Sequence, residues 1–145
     1  MYLPDINFWL ALAFNADVRH PSAKSWFDSL FGKTCFFCRY TQQGFLRLAN
    51  NPKVYPDDVL APPAAWQAFD TMLTDSRIAF AIEPANLETL WRGLTPLSGN
   101  VANSWNDAYL AAFAIANQCE VVTYDNGFTK YDGLKCVVLP VKNPT

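Results

Sequence analysis

Three aspartates stand where short apolar runs begin or end. Asp5 interrupts MYLPDINFWLALAF, Asp125 closes EVVTYD, and Asp107 lies at the start of WNDAYLAAFAIA. Each has an ordinary explanation alone. Asp5 can cap a helix after a first strand, and Asp125 suits an Asp-Asn-Gly turn. Asp107 fits a first helical turn, where the helix dipole favours an acid. Together they imply more. Carboxylates gathered at one end of a sheet repel each other and take up protons unless a cation holds them. Oxygen ligands without thiolate or imidazole favour Mg²⁺ or Mn²⁺ over zinc. Such an ion polarises a phosphoryl group and activates water, so the set points to hydrolysis of a phosphodiester or phosphomonoester.

The elements that must position these acids follow from spacing. Met1 to Leu3 reads as a short strand stopped by Pro4, and a helix starts near Asp5 to Asn7. Phe8, Trp9, Leu12 and Ala13 give that helix one apolar face. Ala23, Trp26, Phe27 and Leu30 predict a second helix over 22–31, stopped by Gly32. Thr34 to Arg39 reads as a strand, with Thr41 as N-cap of a helix to Asn50. A loop rich in Pro and Asp leads into a helix from Pro62 or Pro63 to about Thr74. Arg77 to Ile82 is a strand, Asn86 caps a helix to Gly93, and Thr95 to Asn100 is a loop. Asn103 to Asn117 is a strongly apolar helix, followed by strands over 120–124 and 135–139. This alternation predicts an α/β fold with a parallel sheet covered on both faces. Ligands in such sheets lie beyond the carboxyl ends of the strands. Asp5, Gln42 and Asp125 follow three of them, Asp107 is a fourth candidate, and Asn103 can share the face of Asp107.

The length of 145 residues fits a single domain spanning 1–145. A net charge of −2 excludes nucleic-acid affinity driven by bulk charge, but not an enzyme gripping a phosphate through a metal. Arg39, Arg47 and Lys53 are candidates for a local basic rim. Cys35 and Cys38 share the expected strand, where residues three apart face opposite ways. With Cys119 and Cys136 isolated and His20 the single histidine, a zinc set is not expected. Unpaired thiols of a reducing cytosol are. No apolar run approaches the 18 residues of a membrane span, and a signal peptide is opposed by Pro4, Asp5 and the missing basic start. Trp9, Phe14, Trp26, Phe27, Phe31 and Trp66 exceed the apparent needs of a core, so some are expected at an interface.

LPDIN, TQQGFLRLANNP and GNVANSWNDAYLAAFAIANQCEVVTYDNGFTKYDGL, in that order, resemble PIN-domain ribonucleases, and more narrowly VapC-type toxins. The resemblance covers essentially the whole chain. It implies a three-layer α/β/α sandwich around a central parallel sheet of 4–5 strands. It also implies Mg²⁺- or Mn²⁺-dependent endoribonuclease activity leaving a 5′-phosphate, a homodimer, and a cognate antitoxin whose tail crosses the active site. By position, Asp5, Asp107 and Asp125 match the family's acids, and Asn7 and Thr123 its neighbouring polar residues. Arg47 matches the arginine of GFLR, which sits near a phosphate or braces the fold. Gln42 departs from the family's usual Glu. An amide adds no charge and cannot act as a base, so three carboxylates should hold a cation more weakly than four. Two readings follow: an active nuclease in which Gln42 orients water or substrate, or a degenerate PIN domain that binds antitoxin or RNA without cutting. The stretch from Gly99-Asn100 to Asp107 is longer than usual, which leaves Asn103 and Trp105 to be shaped by substrate or partner. A haloacid-dehalogenase-type phosphatase is disfavoured because DIN lacks that family's second acid.

Overall fold

The computed structural model describes residues 1–96, 98–99 and 101–141. Five short strands run through it: β1 (Tyr2–Pro4), β2 (Cys35–Phe37), β3 (Ile78–Phe80), β4 (Glu120–Thr123) and β5 (Cys136–Val138). Between them lie α1 (Ile6–Ala13), α2 (His20–Asp28), α3 (Arg39–Ala49), α4 (Pro62–Leu73), α5 (Leu87–Leu94) and α6 (Ser104–Ala116). All strand pairs are parallel, in the order β3-β2-β1-β4-β5. The chain therefore builds outward from β1 to β3, then returns to lay β4 on the free side of β1. That reversal makes the gap between β1 and β4 the place where a parallel sheet opens to a ligand.

Alternation along the strands sorts side chains into two cores. Cys35 and Phe37 on β2 and Val122 on β4 join Phe8, Trp9 and Phe45 of α1 and α3. Leu3 and Val121 point the other way, against Leu110 and Phe113 of α6. Residues one apart thus serve opposite layers, the period-2 signature of a sheet buried on both faces. The result is the α/β/α sandwich expected from the sequence. Trp9 stacks on Phe37 with ring centroids 3.8 Å apart, tying α1 to β2. Among the described residues no helix is long and apolar enough to cross a membrane.

Several details differ from the sequence reading. Cys38, not Thr41, is the N-cap of α3. Thr41 stands three residues on, where its hydroxyl accepts from the Cys38 amide at 3.0 Å and donates to the Cys38 carbonyl at 3.1 Å. Cys38 has therefore left the strand, yet it packs in the layer opposite Cys35. All four cysteines are free thiols. α2 starts earlier than expected because Pro21 suits a first helical turn. It ends at Asp28, and Gly32 (φ +63°) then turns the chain toward β2 in a conformation that other residues rarely adopt. Trp9, Phe14 and Phe27 are core residues, whereas Phe31 (87% exposed) and Trp66 (51%) are surface ones. The 3₁₀ helix over Asn126–Lys130 is an addition, formed by residues that read as a simple turn. The Gly99-Asn100 feature falls partly outside the described residues.

Gly44 permits the contact that brings α3 onto α1. A Cβ at this position would run into the buried Ile6 side chain. Gly44→Ala is expected to cost roughly 1–3 kcal/mol through overpacking, despite the better helix propensity of Ala. Thermal unfolding checks this, and adding Ile6→Val should recover part of the loss.

Candidate active site

Asp5 sits at the end of β1 with both carboxylate oxygens occupied. As N-cap of α1 it accepts from the Ile6 amide at 2.7 Å, and its second oxygen accepts from the Thr123 hydroxyl at 3.0 Å. Thr123 is the last residue of β4 and is fully buried. Its single hydroxyl proton goes to Asp5, while its oxygen accepts from the Asp125 amide (3.0 Å) and the Asn7 amide group (3.3 Å). Asn7 closes the ring by accepting from the Tyr124 amide at 3.3 Å. The carboxyl ends of β1 and β4 are thus bound by a polar network that aims Asp5. Behind it, Asp17 and Arg19 pair at 2.8 Å. The Tyr55 hydroxyl donates to Asp17 at 2.8 Å and that of Tyr124 to the Arg19 carbonyl at 3.1 Å. Burial raises the Asp17 carboxyl, but the hydrogen bonds from Arg19 and Tyr55 outweigh it and hold the group at about 2. This clamp anchors the loop after α1 beside the end of β4.

The acids act on each other. Burial pushes the Asp5 carboxyl up to about 6, with the charges of Asp107 and Asp125 adding to it and the bonds from Ile6 and Thr123 opposing it. Asp107, in the first turn of α6, is raised by burial and by Asp125, against the pull of Lys130. Tyr40 is pushed to about 12 by burial and by the charges of Asp5 and Asp107. The Tyr131 hydroxyl is raised by burial and by Asp107 and Asp125, and it is buried with no hydrogen-bond partner among the described residues. Asp125 is exposed and accepts from the Gly127 amide at 2.8 Å, which is the turn chemistry its sequence suggested.

A model of the PIN domain matches residues 2–134. The chain belongs to the PIN-domain family. Within it the chain is similar to ribonuclease VapC41 of Mycobacterium tuberculosis, with 40% identity over 144 residues, covering 96% of this chain and 99% of that protein. Among solved structures it resembles VapBC2 from Rickettsia felis bound to a DNA fragment from their promoter, with TM-score 0.69 and 17% identity. That match covers 96% of this chain and 98% of the other. It also resembles Mycobacterium tuberculosis VapC20, a sarcin-ricin loop cleaving toxin, with TM-score 0.67 and 20% identity over 97% of this chain and 100% of that one. At these identities the structures speak for the fold.

In this PIN domain the acids stand within reach of each other's charge but do not close into a shell. Among the described residues no three His, Cys, Asp or Glu side chains are gathered closely enough to hold a metal ion. The donor set itself, carboxylates beside an amide without thiolate or imidazole, suits a hard divalent cation. Raised carboxyls are what a site shaped for such a cation shows when nothing offsets the repulsion. Gln42 is buried at the start of α3, and its side-chain oxygen accepts from Arg39. The Arg39 guanidinium lies 4.9 Å from the Phe80 ring centroid.

Two more of the expected site residues are exposed. Asn103 is exposed at the start of α6 and makes no capping bond. Arg47 is exposed two turns along α3, where its charge reaches Tyr40. Lys53 lies beyond the far end of α3, so Arg39, Arg47 and Lys53 do not form one rim. Lys130 is the basic group whose charge acts on Asp107. Tyr40, Lys130 and Tyr131 are absent from the sequence-based set. Tyr40 was within reach of the rule that selected Gln42, since both follow β2. Nothing in FTKYDGL signals that the chain curls back as a 3₁₀ helix to bring Lys130 and Tyr131 to the acids.

Asp5 fixes a pH dependence. Its folded carboxyl titrates near 6 against 3.8 for an unperturbed group, so the fold prefers the protonated form. Stability is therefore greatest below about pH 4 as far as Asp5 is concerned, and its contribution is lost as pH rises through 6. Asn keeps the capping oxygen without the charge. In EDTA, Asp5→Asn should melt near wild type at pH 4.5 and above it at pH 8, by on the order of 1–3 kcal/mol. A variant less stable than wild type at pH 8 would show that the charge is already accommodated.

Proposed function

We propose that the chain is a Mg²⁺- or Mn²⁺-dependent endoribonuclease acting as the toxin of a toxin–antitoxin module. The observation that carries this reading is Asp5, fixed by Thr123 between β1 and β4 and raised by burial and by the charges of Asp107 and Asp125. Membership of the PIN family and the ribonuclease name of VapC41 support it.

Asp5, Asp107 and Asp125 are the residues that would hold the cation, which when bound would supply Lewis acidity toward phosphoryl oxygens and make water a better nucleophile. Thr123 orients Asp5, and Asn7 orients Thr123. Such supporting groups commonly contribute 10–100-fold to ~metal-site function. Arg39 is the group suited to a substrate phosphate, with Gln42 fixing its guanidinium and contributing no charge of its own. Lys130 offers a second cation beside Asp107. The same neutral Gln42 is what favours the second reading, a binding domain that does not cut, since the site has no fourth acid there.

The proposed partners are a cognate antitoxin encoded beside this chain and a second copy of it. The exposed Phe31 and Trp66 are apolar groups available to such contacts. RNA is the proposed substrate.

Incubation of purified protein with RNA separates the two readings. Wild type should cut with Mg²⁺ or Mn²⁺ and stop in EDTA. Asp107→Asn should lose roughly 100-fold or more, beyond what an orienting group alone contributes, and should no longer arrest growth. Wild type that binds RNA but cuts with neither ion supports the binding domain. An Asp107→Asn variant with full activity would overturn the assignment of the site.

A further inference from the structure

A cleft of about 450 Å³ opens between the start of α3, the end of β3, α5 and α6, lined by Arg39, Tyr40, Phe80, Trp91 and Tyr109. We propose that it receives an unstacked base of single-stranded RNA, from a nucleotide next to the scissile phosphate. The proposal rests on the ribonuclease reading and names the substrate feature which that site would hold.

The cleft is walled by aromatic rings set edge to face. Tyr40 meets Tyr109 at 5.7 Å and Tyr109 meets Trp91 at 5.3 Å, and Trp91 in turn meets Trp105, outside the cleft lining, at 6.4 Å. In such pairs the ring that offers its edge keeps its own faces free for a further partner. Two hydrogen bonds set the tilt of this row. The Trp91 indole N–H donates to the Trp105 carbonyl at 3.0 Å, and the Tyr109 hydroxyl donates to Glu83 at 2.9 Å. Trp105 is 54% exposed and Ile82, on the cleft wall, 82% exposed, so core packing does not account for them. An exposed apolar patch of this kind marks a contact surface.

Continuity with the acids decides what the surface contacts. Tyr40 packs on Tyr109 and lies close enough to Asp5 and Asp107 for both charges to reach its hydroxyl. Asn106, on the cleft wall, is next to Asp107 in the chain. A phosphate at the acids therefore leaves its neighbouring nucleoside at the mouth of the cleft. Sequence-specific RNA recognition takes unstacked bases onto aromatic faces and guanidinium planes, with amides and carboxylates reading their edges. The cleft offers that combination: rings on the walls, the Arg39 guanidinium, and Gln43, Glu83 and Asn106 as polar groups.

The indole N–H signals of the protein in EDTA test this without any cleavage. Each tryptophan gives one signal, assigned by Trp→Phe replacement, and hexauridylate and hexaadenylate are the probes. At least one should bind with saturating shifts at Trp91 and Trp105, while the buried Trp9 and the exposed Trp66 on α4 stay in place. An abasic hexamer with the same phosphates should bind roughly tenfold more weakly and leave Trp91 and Trp105 unmoved. Gln43→Glu, an exposed position outside the acid set, should weaken the base-containing probe severalfold with an unchanged melting temperature. Equal shifts at Trp66, or equal binding by the abasic hexamer, would overturn the base site. So would an arginine-rich peptide that moves Trp91 and Trp105 where neither oligonucleotide does, because the cleft would then be a protein-docking groove. RNA binding or cleavage without shifts at Trp91 and Trp105 would sink this inference alone and leave the ribonuclease reading standing. Failure of both binding and cleavage would sink the two together.

Discussion

The burial of Asp5 beside the charges of Asp107 and Asp125 is the constraint around which the rest of this molecule is arranged. A fold gains nothing by burying an acid beside the charges of two others, and Asp5 is raised to about 6, above all by burial. Two hydrogen bonds, from Ile6 and Thr123, work against that cost without removing it. The surroundings keep the carboxylates from turning away. Thr123 spends its one proton on Asp5, Asn7 steadies Thr123, and the Asp17–Arg19–Tyr55 clamp holds the adjoining loop. A buried carboxyl raised by its surroundings and held by so many partners is characteristic of a site rather than of an accident of packing.

The sheet order explains why these residues meet at all. Asp5 and Thr123 are 118 positions apart, yet β4 pairs directly with β1 and brings Pro4 opposite Val122. One residue further along each strand, the side chains leave the sheet and face each other. α3 reaches the same edge because Gly44 lets it close on Ile6, which sets Tyr40 beside the acids. The acids and the aromatic cleft then share one rim of the molecule, with Tyr40 belonging to both.

Much of this was legible in the chain. Apolar runs bounded by Pro, Gly and Asn gave the alternation of strands and helices, and strand ends picked out Asp5, Gln42 and Asp125. What stayed hidden depends on contacts between distant segments. The Asp17 clamp joins residues 38 positions apart through a tyrosine hydroxyl, and no local pattern announces it. Cys38 displaced Thr41 from the N-cap because the strand ends two residues early, and Thr41 satisfied the same backbone from inside the helix. Trp9 and Phe27 looked like surplus aromatics only because a sheet covered on both faces needs two cores, and composition does not count layers. Lys130 and Tyr131 are brought in by a 3₁₀ turn that the spacing of FTKYDGL does not encode.

The central claim is that Asp5, Asp107 and Asp125 form a cation site, and calorimetric titration with Mn²⁺ at pH 8 and pH 5 tests it most directly. Binding must displace the proton that Asp5 holds near pH 6, so affinity should fall about tenfold or more at the lower pH, with protons released on binding. Asp5→Asn should abolish that dependence along with most of the affinity. An absence of Mn²⁺ binding at either pH would contradict the account. So would an affinity that is equal at both and undiminished in Asp5→Asn.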